Sequence, residues 1–171
     1  MVTQVVQSDG ALFVQANALF TQAFEDKERA FDLQEAHREG SQTLAVVQDG
    51  VLLALANYRE YEDFVYIEHI ATLERLRGQR ISAPLFGHFM KGYPYVLCEL
   101  GVDSERISFY ERIGFTFNPY DYVVPPYGGN TKSEKYLLYT YPRALDMETF
   151  ERFKKIIFDD AYLGGGEMGI A

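Results

Sequence analysis

Between Glu68 and Phe115 the chain alternates twice between strand-like and helix-like segments, and this stretch limits the fold more than any other. A β-rich run, Tyr66 to Leu73, leads into Arg77-Gly78-Gln79-Arg80-Ile81-Ser82, which opens an amphipathic helix. A second strand is predicted over Tyr95 to Leu100, and the helix after it ends in Phe109-Tyr110-Glu111-Arg112-Ile113-Gly114-Phe115. A strand that feeds a glycine-containing turn and a helix N-terminus gathers backbone N–H groups and a helix dipole at one point. That is the makings of an anion pocket, suited to a pyrophosphate.

The flanking segments fill in an α+β domain. Thr3 to Gln7 reads as a short strand, and apolar residues at helical spacing mark a helix over Ala11 to Phe24. A shorter helix is expected over Asp32 to Arg38, stopped at Gly40. Gln48-Asp49-Gly50 between Thr43–Val47 and Val51–Tyr58 is a strong hairpin signal. Phe64 to Leu73 is the next strand, and a helix starting near Arg80 buries Ile81, Leu85, Phe86 and Phe89. Such a start keeps Pro84 at or near the first turn, where its missing N–H costs little. Two later strands, Phe115 to Val123 and Lys135 to Tyr141, flank a Pro125-Pro126 loop. Asp146 is positioned to cap a last helix carrying Phe150, Phe153 and Ile157. One domain is expected over residues 1–163, with a mobile glycine-rich tail at 164–171. The sheet should be mixed and largely antiparallel.

At 171 residues with 47% apolar side chains, the chain can bury one core. A net charge of −9 argues against a nucleic-acid surface, which needs clustered Lys and Arg. The same field weakly favours a cationic amine. Cys98 is the only cysteine, so no intrachain disulfide is possible, and its apolar strand suits a buried thiol better than a nucleophile. The N-terminus lacks a signal-peptide pattern and no apolar run is long enough to span a bilayer. A cytoplasmic protein without membrane contact is the expectation. No spacing of His, Cys and Asp suggests a metal site.

The turn and the Phe109–Phe115 segment together resemble the GCN5-related N-acetyltransferases (GNAT), in particular a bacterial subgroup of unassigned substrate. The resemblance runs over Val46 to Tyr162 and includes Asn118, Pro125-Pro126-Tyr127 and the segment from Tyr141 to Phe150. Family members commonly show Arg-Gly-x-Gly-Ile-Gly after the fourth strand. Here Arg77, Gly78 and Ile81 fit, Arg80 stands at the central glycine, and Ser82 is a small final residue. The resemblance implies acetyl-CoA as co-substrate. Its pyrophosphate would lie over the N–H groups of Gln79, Arg80, Ile81 and Ser82, and its pantetheine arm would pair with Ile70, Ala71 and Thr72. It also makes Tyr110 the group that protonates the departing thiolate. Read alone, Tyr110 is better taken as a packing residue beside Phe109 and Phe115, and the surrounding segment is what favours the functional role.

Deprotonating the acceptor ammonium requires a base. Glu68 and Glu99, each a carboxylate within an apolar strand, are the candidates, and both stay open. By the period-two rule Glu68 shares a strand face with Ile70 and Thr72, and His69 lies on the opposite one. If the two carboxylates face each other, at least one gains proton affinity. Tyr120, Tyr122 and Tyr127 either wall an acceptor pocket or fill the sheet edge. The reading is an N-acetyltransferase for a small-molecule amine or an exposed amino group, with a homodimer allowed. The alternatives are a CoA-binding sensor or pseudoenzyme without catalysis, which Arg80 would suit, and an aromatic-lined binding protein that never uses CoA.

Overall fold

A computed structural model describes residues 1–24, 33–126 and 131–162. These form two compact units, Met1–Pro94 and Tyr95 onward.

The first unit holds β1 (Val2–Val5), α1 (Ala11–Ala23), α2 (Leu33–Arg38), β2 (Gln42–Gln48), β3 (Val51–Glu60), β4 (Phe64–Thr72) and α3 (Ala83–Gly92). Its strands lie in the order β1-β2-β3-β4, every ladder antiparallel. The β2–β3 turn puts Asp49 at φ 51° and Gly50 at φ 77°. Two left-handed residues in succession match the strands' twist, which is why Asp-Gly works there. Gln15 of α1 ties the hairpin down, donating to Gly50 O at 3.0 Å and accepting from Leu52 N at 2.9 Å. Ala16, Leu19 and Phe20 of α1 pack on Ala45, Val47, Leu52, Leu55 and Ala71, forming one side of the core. On α3 the buried stripe is Leu85, Phe86 and Phe89, and the Phe89 ring meets Tyr58 at 5.0 Å. The helix starts at Ala83 rather than near Arg80, so Ile81 lies in the turn before it and Pro84 in the first turn. A single 3-10 turn, Glu74–Leu76, precedes this loop.

One irregularity matters for the site. Asn57 pairs with His69, but its neighbour Tyr58 pairs with Ile67, so Glu68 is the extra residue of a β-bulge.

In the second unit β8 (Glu134–Tyr141) pairs antiparallel with β5 (Tyr95–Gly101), β6 (Thr116–Phe117) and β7 (Val123–Val124). The expected strand over Phe115 to Val123 is thus two short pieces. Fully buried Asn118 interrupts it, its Nδ2 donating to Leu138 O at 3.1 Å and Thr140 Oγ1 at 3.0 Å. Its Oδ1 accepts from Leu145 N at 2.7 Å. Pro119 follows and has no N–H to continue a ladder. The helices are α4 (Ile107–Arg112) and α5 (Met147–Ile157), the latter extended by a π-helical turn, Phe158–Tyr162. Asp146 caps α5 as expected, accepting from Thr149 N at 2.7 Å, and Phe150, Phe153 and Ile157 are its buried face. The 164–171 tail lies outside the described residues.

Candidate active site

The loop from Arg77 to Ser82 is a turn whose backbone is half committed. Arg77 N donates to Glu74 O, Gln79 N to Leu76 O at 3.3 Å, and Ala83 N to Arg80 O at 3.1 Å. The N–H groups of Gly78, Arg80, Ile81 and Ser82 have no protein acceptor among the described residues. Gln79, expected among the anion-binding donors, is therefore taken up by the turn itself. Gly78 sits at φ 80° and Arg80 at φ 59°. Left-handed residues interleaved in a turn bring successive N–H groups to one side, the geometry of an anion-binding nest. A side chain at φ > 0 costs roughly 1–2 kcal/mol. Arg80 thus holds the backbone conformation of the glycine it replaces, with its guanidinium in the exposed part of the loop. A Cβ on Gly78 would touch nothing within 4 Å, so its requirement is conformational and leaves open space over the turn. Uncommitted donors, open space and exposed Arg75, Arg77 and Arg80 fit a pyrophosphate.

Upstream of this loop, Ile70, Ala71 and Thr72 pair on one edge with Ala56, Leu55 and Ala54 of β3. The bulge changes what lies beside them. Glu68 Oε1 accepts from Arg59 Nε at 2.6 Å and its Oε2 from Ser41 Oγ at 2.7 Å. Asn57 Nδ2 donates to the same Ser41 Oγ at 2.6 Å, and Asn57 Oδ1 lies 3.4 Å from His69 Nδ1. Asn57 and Arg59, two apart on β3, point to one face, so Glu68 and His69 both reach it. The expectation that they occupy opposite faces, with Glu68 alongside Ile70 and Thr72, is overturned, because an extra residue in a strand cancels one alternation. His69 is packed, its ring edge-on to Phe20 at 5.6 Å and Phe24 at 5.0 Å. His37 lies nearby against Thr43 Oγ1 at 2.8 Å, with burial drawing its pKa below the ordinary value.

In the second unit Tyr110 is buried on α4, its ring edge-on to Phe109 and Phe115, each at 5.4 Å. Burial pushes its pKa well up, the nearby Cys98 adds to this, and Arg106 opposes it. The phenol therefore stays protonated. Cys98 is itself buried, its thiol raised well above the ordinary range by burial and then by Glu99. It is not a poised nucleophile.

Glu99 on β5 has a partner that no local pattern announces. Tyr162, in the π-helical turn, lies with its hydroxyl 2.8 Å from Oε1 and 2.6 Å from Oε2. Arg59, Ser41 and Tyr162 escaped the sequence reading for one reason. Each meets its carboxylate across 9 to 63 residues, and no motif or period links such positions.

Tyr122 is fully buried between Phe150 at 6.0 Å and Phe158 at 5.2 Å, which makes it core rather than an open wall. Tyr120 is half-buried against Phe150 at 4.9 Å, and Tyr127 lies outside the described residues. Among the described residues no cluster of His, Cys, Asp and Glu has metal-binding geometry, and no helix is long and apolar enough to cross a membrane.

The sequence model of the Acetyltransferase (GNAT) family matches residues 11–115, running through α1, the bulged strand, the turn and α4. No curated protein matches the chain significantly. Among solved structures, a GNAT-family acetyltransferase from Bacteroides thetaiotaomicron is similar over 95% of this chain and 98% of its own. The TM-score is 0.74 and the identity 22%. The ribosomal-protein-S18-alanine N-acetyltransferase from Escherichia coli follows at TM-score 0.61 and 14% identity, covering 86% of this chain and 97% of its own. An aminoglycoside 6'-N-acetyltransferase complexed with coenzyme A gives 0.61 and 13%, covering 85% and 100%. At these identities the likeness speaks to the fold, an α+β GNAT domain. With the family match spanning more than half of its length, the chain belongs to the acetyltransferase (GNAT) family.

Proposed function

We propose that the protein acetylates a small-molecule amine or an exposed amino group, using a strand carboxylate as base and Tyr110 as acid. The observation that carries this reading is the turn at 77–82, where four uncommitted N–H groups and two left-handed residues form an anion cradle before α3. Gly78, Arg80, Ile81 and Ser82 hold the donor's pyrophosphate, while Ile70, Ala71 and Thr72 offer backbone pairing to its extended arm. Acetyl-CoA supplies the acetyl group as a thioester.

An amine attacks only in its neutral form. A carboxylate oxygen of Glu68 or Glu99 accepts the ammonium proton, directly or through a water. As the new N–C bond forms and the C–S bond breaks, the Tyr110 hydroxyl gives its proton to sulfur, and the nitrogen's surplus proton restores the phenol, directly or through a water. Burial that keeps Tyr110 protonated supports the donor role. Half-buried Tyr120 is the wall offered to the acceptor. The net charge of −9 favours a cationic acceptor, and a cytoplasmic setting suits a chain with one buried thiol.

The named acceptors of two structural neighbours, a ribosomal-protein alanine and an aminoglycoside, span both acceptor classes. The test is release of CoA thiol from acetyl-CoA over a panel of primary alkylamines, a polyamine, an aminoglycoside and peptides with free N-termini. Turnover confined to peptides would exclude a small-molecule substrate, and no turnover on any would remove the amine reading.

A further inference from the structure

We propose that the groove between the end of α1 and the turn after β4 binds a second ammonium group of the acceptor through Glu74, and that the acceptor is therefore a linear di- or polyamine. The inference deepens the acetyl-transfer reading and rests on it.

The groove has a volume of about 500 Å3 and is lined by Gln22, Leu73, Glu74 and Arg75. That size suits a small ligand. The backbone carrying Glu74 is held on both sides. Leu73 N donates to Leu53 O at 3.0 Å, Leu76 N to Leu73 O at 2.8 Å and Arg77 N to Glu74 O at 3.2 Å. The Glu74 carboxylate and the Gln22 amide, by contrast, make no hydrogen bond or ion pair with any of the described residues. Glu74 stays unpaired although Arg75, Arg77 and Arg80 follow it closely, and α1 carries no charged side chain that could serve.

A carboxylate at this point opposes the anion that the neighbouring cradle is built to hold. A cation in the groove offsets it. The lining has the chemistry of an alkylammonium site, with a carboxylate, an amide oxygen to accept a further N–H and a leucine beside the methylenes. Arg75 is answered by the donor's phosphates once CoA is bound, so the cation meets Glu74 with the opposing charge already matched.

The ammonium held by Glu74 is not the reacting one. The donor's arm pairs with Ile70, Ala71 and Thr72 and its phosphates lie beyond Thr72, which puts the thioester toward Ile70. Four residues of extended chain separate Ile70 from Glu74, about 13 Å at a strand's rise. The end of α1 runs the same way. Gln22 lines the groove, and Phe24 meets the His69 ring at 5.0 Å, next to Ile70. An acceptor anchored at Glu74 therefore carries its reactive nitrogen about 13 Å from the anchored one.

The test measures kcat/KM for linear α,ω-diamines from putrescine upward, each beside the alkyl monoamine of equal length, in wild type and Glu74→Gln. A preference for the diamine should appear as the nitrogen separation nears about 13 Å. It should reach about threefold to fivefold, the size of an ion-pair contribution at an exposed carboxylate. The preference should lie in KM, shrink at high salt and vanish in Glu74→Gln, with KM for acetyl-CoA at or below its wild-type value. Equal kcat/KM for diamines and monoamines at every length, or a preference that survives Glu74→Gln, would overturn the proposal and leave acetyl transfer standing. A Glu74→Gln variant changed only in its KM for acetyl-CoA would overturn it equally. Absence of thiol release from every amine would instead remove acetyl transfer, and this proposal with it.

Discussion

Arg59 Nε sits 2.6 Å from Glu68 Oε1, and the same guanidinium donates through Nη1 to Glu39 O at 2.8 Å. The bulge at Glu68 creates this pair, because the extra residue brings a carboxylate onto the face where Arg59 already points. Removing Arg59 alone leaves a buried charge without compensation. Arg59→Ala should therefore cost about 3–5 kcal/mol in denaturant unfolding, whereas Arg59→Met with Glu68→Gln should cost far less. Equal losses for the two would mean the pair is effectively solvated.

The donor turn makes two opposite predictions. Gly78→Val forces a β-branched residue to φ 80°, where a side chain costs roughly 1–2 kcal/mol, although its Cβ has open space. Stability should fall by about that amount, and CoA affinity should drop as the cradle shifts. Arg80→Gly relieves the left-handed strain at φ 59° while deleting an exposed charge. It should leave the fold at least as stable and make CoA binding less sensitive to salt. Isothermal calorimetry at two ionic strengths checks both, and unchanged CoA affinity in Gly78→Val would take the pyrophosphate away from this loop.

Tyr110→Phe preserves the packing against Phe109 and Phe115 while removing the hydroxyl. Turnover should fall on the order of a hundredfold or more where chemistry limits the rate. Because burial raises the Tyr110 pKa, the wild-type enzyme should show no descending limb from this residue below about pH 10, the ordinary phenol value. Wild-type turnover in the Phe variant would return Tyr110 to a packing role.

Alkaline pH should unfold the protein through its tyrosines. Tyr58 is pushed up to about 12 by burial and then by Glu60, and burial likewise raises Tyr93, Tyr110 and Tyr139. A tyrosine raised in the folded state loses its proton first in the unfolded chain, near pH 10, so the unfolded state then binds fewer protons. Stability is full below about pH 10 and falls as pH rises toward 12. Denaturant midpoints from pH 8 to 11.5, read beside tyrosinate absorbance, test this. A flat midpoint across that window would contradict it.

The amino-acid order alone was enough for the elements that depend on neighbours a few residues apart. The Asp49-Gly50 hairpin, the Asp146 cap, the α5 stripe of Phe150, Phe153 and Ile157, and the strand–turn–helix around Gly78 all follow from local backbone preference and periodicity. Within the candidate site, the turn at 77–82 was legible for the same reason, although Gln79 proved committed within it, whereas Tyr110 was singled out by the family resemblance. Only the folded chain decided the rest. Glu68 changed faces because a bulge is a mismatch between two strands, invisible in either one alone. The strand after Gly114 broke because Asn118 found backbone partners 20 and 27 residues downstream. Tyr162 met Glu99 because a π-helical turn redirected one ring across 63 residues. Local propensity acts over a turn or two of chain, whereas the partner of a buried carboxylate is chosen by whatever donor the packed core brings within hydrogen-bond reach.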